Sequence, residues 1–142
     1  MKRLLPAFLL VLALLALAYL LLPRGHTFYG TRLLNPKPVD FALEGPQGPV
    51  RLSQFQDKVV LLFFGFTHCP DVCPTTLATL AEARRQLADL PPAEIPEVVL
   101  ATVDPARDTP AALARYVAHF DPSFTGVTGS PESIEAFTRD LG

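Results

Sequence analysis

The residues able to do chemistry in this 142-residue chain are concentrated in one stretch, Phe63-Phe64-Gly65-Phe66-Thr67-His68-Cys69-Pro70-Asp71-Val72-Cys73-Pro74. It holds the only two cysteines of the sequence, with three residues between them. An apolar run precedes it, and residues 75–90 follow with a pattern that predicts a helix, so a strand hands over to a helix N-terminus at the cysteines. Unpaired backbone N–H groups and the positive end of the helix dipole favour thiolate over thiol there. Two thiolates so placed can bind a soft metal ion, cycle between dithiol and disulfide, or form a structural disulfide in an exported domain.

The spacing bears on that choice. Thioredoxin-type oxidoreductases separate their cysteines by two residues; here Pro70, Asp71 and Val72 intervene. If residues 69–73 form one helical turn, both sulfurs share a face and one metal ion can bridge them. Thiolates select Cu(I) or zinc. Two sulfurs are too few for a closed tetrahedral zinc site, but they suit low-coordinate Cu(I). Asp71, between the cysteines, opposes thiolate formation electrostatically and weakens the case for a fast oxidant. Spacing therefore favours metal and leaves the redox and structural alternatives open.

Other polar residues are candidates of lower rank. His68 adjoins Cys69 and, leaving a strand, points to the opposite face; it reads as packed or exposed, with a thiol-tuning or transient metal-assisting role as the alternative. His119 lies near a helix end and His26 in the segment after the apolar N-terminus. Asp104, Arg107 and Asp108 fall at the C-terminal end of a strand, on the edge that carries the cysteines. They read as a loop-bracing ion pair and helix cap, or as groups shaping the cysteine loop or a partner surface. Phe66 is the aromatic nearest that loop and a candidate partner contact.

The elements that must position these residues follow from periodicity. Val39–Leu43 and Val50–Leu52 flank a Gly/Pro turn and predict a hairpin, followed by one helical turn over 53–56. Val59–Phe64 is apolar on both faces, as in a central strand, and 98–103 is a second buried strand. Thr109-Pro110 and Ser130-Pro131 are helix starts, a hydroxyl N-cap followed by proline. Strand–helix–strand–helix order implies parallel strands joined by right-handed crossovers. The α/β class with a cysteine pair at this position is the beginning of a thioredoxin-like fold. Such a fold would add a β-hairpin and a helix after Gly142, so an incomplete C-terminal edge is expected.

Three regions are expected: a membrane anchor over 1–23, a linker over 24–37 and a domain over 38–142. Lys2 and Arg3 precede the uncharged run Leu4–Leu22, whose nineteen residues would span roughly 28 Å as a helix, about a bilayer's hydrocarbon thickness. Ala16-Leu17-Ala18 has the form of a signal-peptidase site, but apolar Tyr19–Leu22 follows it and favours an uncleaved anchor. Arg24, Arg32 and Lys37 dilute the positive-inside signal of Lys2 and Arg3, but a short N-terminal tail usually leads such a domain across the membrane, and an oxidisable cysteine pair also suits a place outside the cytoplasm. Mean hydropathy of +0.29 is raised by this segment. Without residues 1–23 there are ten basic and fourteen acidic residues, a net charge of −4, which argues against a nucleic-acid partner.

Phe64-Gly65-Phe66-Thr67-His68-Cys69-Pro70-Asp71-Val72-Cys73-Pro74-Thr75-Thr76-Leu77 resembles the signature of the Sco/SenC family of copper chaperones. The resemblance continues in Val103-Asp104-Pro105-Ala106-Arg107-Asp108-Thr109-Pro110 and in Phe120–Gly129, and covers roughly residues 38–142. It implies a thioredoxin-like domain on one N-terminal transmembrane helix, in the cytoplasmic (inner) membrane and facing away from the cytoplasm. It implies copper, as Cu(I) or Cu(II), delivered to the dinuclear centre on the copper-bearing subunit of cytochrome c oxidase, or reduction of that centre's cysteines. Cys69 and Cys73 match the family's two copper cysteines. The family's third ligand, a histidine towards the end of the domain, has no matching residue in this sequence. The function so implied is that of a metallochaperone, with thiol–disulfide reductase activity open. The alternative is a thiol–disulfide oxidoreductase of the thioredoxin/peroxiredoxin-like class without stable copper binding.

Overall fold

The computed structural model describes residues 5–21, 30 and 40–141. Backbone contacts divide the chain into two units, Met1–Pro36 and Lys37–Gly142. In the first, α1 (Leu5–Leu21) is uncharged, and its residues 10–19 are exposed. Seventeen residues rise roughly 26 Å. No helix among the described residues is long and apolar enough to cross a membrane. The expected helix ran one residue further at each end, to Leu4 and Leu22, and both lie outside the described residues. So do His26 and, apart from Gly30, the expected linker 24–37.

In the second unit, β1 (Ala42–Gly45) and β2 (Gly48–Arg51) form the expected antiparallel hairpin around Pro46-Gln47. A single 3-10 turn, Leu52–Phe55, follows. Ser53 ties it to the segment ahead of β1, its N–H and hydroxyl donating to the Asp40 carboxylate at 3.1 and 3.2 Å. Then come β3 (Val60–Gly65), α2 (Val72–Gln86), β4 (Glu97–Thr102), α3 (Pro110–Ala118), β5 (Thr125–Val127) and α4 (Pro131–Leu141). Strands β3, β4 and β5 are parallel neighbours in that order, as the α/β reading requires.

Alternation along β4 builds both cores. Val98 and Leu100 pack with Leu77 of α2 and Leu113 and Val117 of α3. Val99 and Ala101 face the other way, to Leu43 of the hairpin and Ile134 and Phe137 of α4. Each fully buried Leu or Val contributes about 1.5–3 kcal/mol over its exposed state. Glu44 and Thr128 exchange backbone hydrogen bonds of 2.7 and 2.8 Å and join the hairpin to the end of β5. Thr109 Oγ1 accepts the Ala112 N–H at 3.2 Å, and Pro110 opens α3. Ser130 Oγ accepts the Ser133 N–H ahead of α4.

Three expectations are corrected. β4, not β3, is the middle strand; β3 stands at the end of the order, with Leu61 36% exposed. An apolar run reports what covers a strand's faces, not which strands bond its edges. The strand β5 was not anticipated, being three residues long with glycine at its centre. A Cβ on Gly126 would lie 2.8 Å from Leu113 Cβ, so α3 approaches β5 through the space a side chain would fill. Finally, α2 starts at Val72 rather than at residue 75, which puts Cys73 inside its first turn.

Candidate metal centre

β3 ends at Gly65, and Phe66 anchors the loop that follows, its carbonyl accepting the Cys69 N–H at 3.3 Å. The turn of α2 that comes next has orphan N–H groups to satisfy. Asp71 occupies the N-cap, but its side chain caps nothing. The Cys69 sulfur does so instead, accepting the Cys73 N–H at 3.4 Å. Pro74, third in the helix, has no N–H to satisfy. Residues 69–73 are therefore not a single helical turn; Cys69 lies outside the helix and Cys73 within it, yet the two sulfurs meet.

Both cysteines are free thiols, Cys69 partly exposed and Cys73 only 3% exposed. The Cys69 thiol is held below its ordinary range, chiefly by a hydrogen bond from the Cys73 thiol and then by the Cys73 N–H. Burial works against this, and the N–H groups of Asp71 and Val72 add lesser lowering contributions. Cys73 is pushed up, first by burial and next by donating to Cys69, while the Phe66 N–H works the other way. Asp71 thus acts on Cys69 through its backbone N–H, which favours the thiolate, reversing the expected opposition. Its carboxylate is 3.5 Å from the Thr75 hydroxyl. Gly65 permits the close fit, since a Cβ there would sit 3.0 Å from both Cys73 Sγ and Phe63 Cε1.

The pair is asymmetric: the partly exposed Cys69 sulfur accepts a backbone N–H from the first turn of α2, whereas the Cys73 thiol is buried. Soft sulfur donors of this kind fit Cu(I), which can take the place of the proton they share. Among the described residues no three His, Cys, Asp or Glu side chains are grouped to hold a metal ion. His119 caps the end of α3 and meets the Phe120 ring edge-on at 5.6 Å, apart from the cysteines.

Asp104, Arg107 and Asp108 do not act as one cluster. Arg107 Nε donates to Asp104 at 2.5 Å, forming the expected loop brace. Asp108, fully buried, turns instead to the cysteine loop and the end of β4. Its Oδ2 accepts the Thr67 N–H at 3.0 Å and the Thr102 hydroxyl at 2.6 Å, and its Oδ1 the Thr67 hydroxyl at 2.5 Å. His68 Nδ1 lies 2.9 Å from Thr67 Oγ1 and 3.9 Å from Asp108 Oδ1, with its side chain 59% exposed. The helix cap is Thr109, not Asp108.

Sequence reasoning missed Thr67, Thr102 and Tyr116. The Tyr116 hydroxyl is buried without a hydrogen-bond partner. Burial raises its pKa, and the charges of Cys73, Cys69 and Asp108 raise it further. Thr67 lies inside the first recognised motif and Thr102 adjoins the second, but nothing in their spacing announced a shared carboxylate.

A family model described as SCO1/SenC matches residues 34–142. The protein named SCO2 homolog, mitochondrial, of Bos taurus is 48% identical over 120 residues, 82% of this chain and 45% of its own length. The chain thus spans less than half of that relative. The solution structure of apo Sco1 from Thermus thermophilus matches with a TM-score of 0.68 and 63% identity, covering 83% of this chain and 67% of that one. The crystal structure of Arabidopsis thaliana ScoI with copper bound matches with a TM-score of 0.67 and 38% identity, over 72% and 64% of the two chains.

Proposed function

Because this chain belongs to the SCO1/SenC family, we propose that it is a copper-carrying assembly factor for cytochrome c oxidase. Copper is its cargo, held by Cys69 and Cys73 and delivered to the dinuclear copper centre on the copper-bearing oxidase subunit. The observation that carries this reading is the asymmetric pair. The Cys69 thiolate is available to capture Cu(I), and binding of the ion to Cys73 releases that thiol's proton to solvent. A bis-thiolate of low coordination results, weak enough at its open side for a partner's sulfurs to take the ion over.

Residues 1–23 tether the domain, 38–142, to the extracytoplasmic face of the inner membrane through the linker 24–37. Support comes from α1, which is uncharged and exposes apolar side chains along residues 10–19. Such a surface is costly in water and stable in hydrocarbon.

Titration of the reduced chain with Cu(I) tests the central claim. One ion per chain is expected, with binding lost in a Cys69→Ser/Cys73→Ser double variant. Undiminished binding by that variant overturns the reading.

The same asymmetry favours a second role, reduction of the partner's cysteines. Cys69 thiolate attacks the partner disulfide, forming a mixed disulfide and releasing one partner thiolate. Cys73 gives up its proton and attacks the Cys69 sulfur, releasing the second partner thiolate and leaving a Cys69–Cys73 disulfide. Two electrons pass from the pair to the partner. A Cys73→Ser variant should then trap the mixed disulfide with an oxidised two-cysteine peptide in copper-free buffer; its absence counts against this role.

A further inference from the structure

The fully buried Asp108 has hydrogen-bonding directions that can be followed outward without ambiguity. Its oxygens accept from the Thr67 N–H and from the hydroxyls of Thr67 and Thr102, and a threonine hydroxyl has one hydrogen to give. Thr102 Oγ1 spends its hydrogen on Asp108 Oδ2 and accepts the Asp104 N–H at 3.0 Å. Thr67 Oγ1 spends its hydrogen on Asp108 Oδ1. Its remaining contact, His68 Nδ1 at 2.9 Å, must therefore supply the hydrogen there. Two chains of donors converge on one carboxylate, and the second ends on an exposed imidazole next to Cys69.

We propose that Asp108 is the positioning residue of the cysteine loop, and that through Thr67 it fixes His68 in the Nδ1–H tautomer. Two consequences follow from the one network. The Thr67 N–H and hydroxyl are both held by Asp108, so the backbone entering Cys69 is clamped to the residue before the α3 N-cap and through it to Thr102 at the end of β4. With Nδ1–H committed to Thr67, Nε2 is the ring nitrogen left for a partner on this largely exposed side chain. Asp108 touches neither sulfur in a hydrogen bond; it works through Thr67. The loop-positioning half rests on the copper reading above, whereas the tautomer does not.

The test uses the full chain, reduced and copper-free, with 15N-labelled histidine. In the wild type the ring shifts of His68 should report the Nδ1–H tautomer. Thr67→Val removes the hydroxyl at constant shape and should release the ring to a mixture, and Thr67→Ser should retain the wild-type tautomer. Asp108→Asn gives the sharpest outcome. Two donors already converge on the Oδ2 position, so the amide oxygen must sit there and the amide nitrogen at Oδ1. The amide then donates to Thr67 Oγ1, whose hydrogen turns to His68 Nδ1, and the ring proton moves to Nε2. A wild-type His68 in the Nε2–H form, or a ring indifferent to both Thr67→Val and Asp108→Asn in folded protein, overturns the proposal.

Chelator competition for Cu(I) supplies the second arm. Thr67→Val should weaken binding by about tenfold, the worth of roughly one hydrogen bond, with Thr67→Ser restoring it. Affinity unchanged in Thr67→Val removes the positioning claim. A wild type that binds no Cu(I) overturns the copper reading, while the histidine shifts still judge the relay by themselves.

Discussion

The two thiols of this chain are chemically unequal although their sequence surroundings are nearly symmetric, each cysteine being followed by proline. The inequality comes from backbone. Cys69 collects the N–H groups of residues 71–73, the orphan donors of a helix start, whereas Cys73 is buried against Gly65 and gives its hydrogen to Cys69. The cysteine pair was legible as a site at once, because residue types and spacing announce it. The order within the pair was not, since it depends on where α2 begins, three residues before periodicity showed a helix. Reactivity should follow the structure. A lowered pKa keeps a thiol ionised to lower pH, so Cys69 should react with iodoacetamide first. Its rate should fall off only below the range of a free cysteine, about pH 8.5. Cys73, shifted the other way, should label slowly and need more alkaline solution. Peptide mapping of timed samples across pH checks this, and labelling of Cys73 ahead of Cys69 would sink it.

At the scale of elements, contact between α3 and β5 holds the far side of the sheet, and Gly126 is where it is tightest. A Cβ there would fall 2.8 Å from Leu113 Cβ and 3.1 Å from the Leu113 carbonyl carbon. Backbone cannot swing aside as a flexible side chain can, so Gly126→Ala should force α3 off the strand. The expected cost is about 1–3 kcal/mol, the range for overpacking a close-packed site. A denaturation midpoint equal to wild type would show that the helix is not held there. Elements with strong local signals, α3 and α4 with their hydroxyl–proline starts and the turn-bounded hairpin, were legible. β5 was not, because three residues offer no period and its strand identity comes from pairing with β4. The rank of β3 in the sheet was misjudged for a related reason: hydrophobicity encodes coverage, and Val59–Phe64 carries no mark of which edge finds a neighbour. Asp108 shows the same limit at the site. Its motif placed it on the correct edge, but its partners Thr67 and Thr102 come from two other segments and meet only after the sheet has formed.

For the whole molecule, the two units carry different physical instructions. Residues 37–142 are acidic, with eight basic and fourteen acidic residues and a net charge of −6, and enclose two apolar cores. The segment before them is uncharged along α1 and exposes leucine, valine and tyrosine side chains over residues 10–19. A helix of this kind gains nothing from water on any face, and burial of leucine-rich surface at about 25 cal/mol per Å2 favours hydrocarbon strongly. If the segment anchors the chain, the full-length protein expressed in a bacterium should remain in the membrane pellet after alkaline carbonate washing. Deleting residues 1–23 should move it to the soluble fraction. Cu(I) stoichiometry should be the same in both, because Cys69 and Cys73 belong to the second unit. N-terminal sequencing of the membrane-bound product separates anchor from signal peptide: a start at the beginning of the chain supports the anchor, and one just after Ala18 means the segment is cleaved. Full-length protein that washes free of the membrane with its N-terminus intact would defeat both.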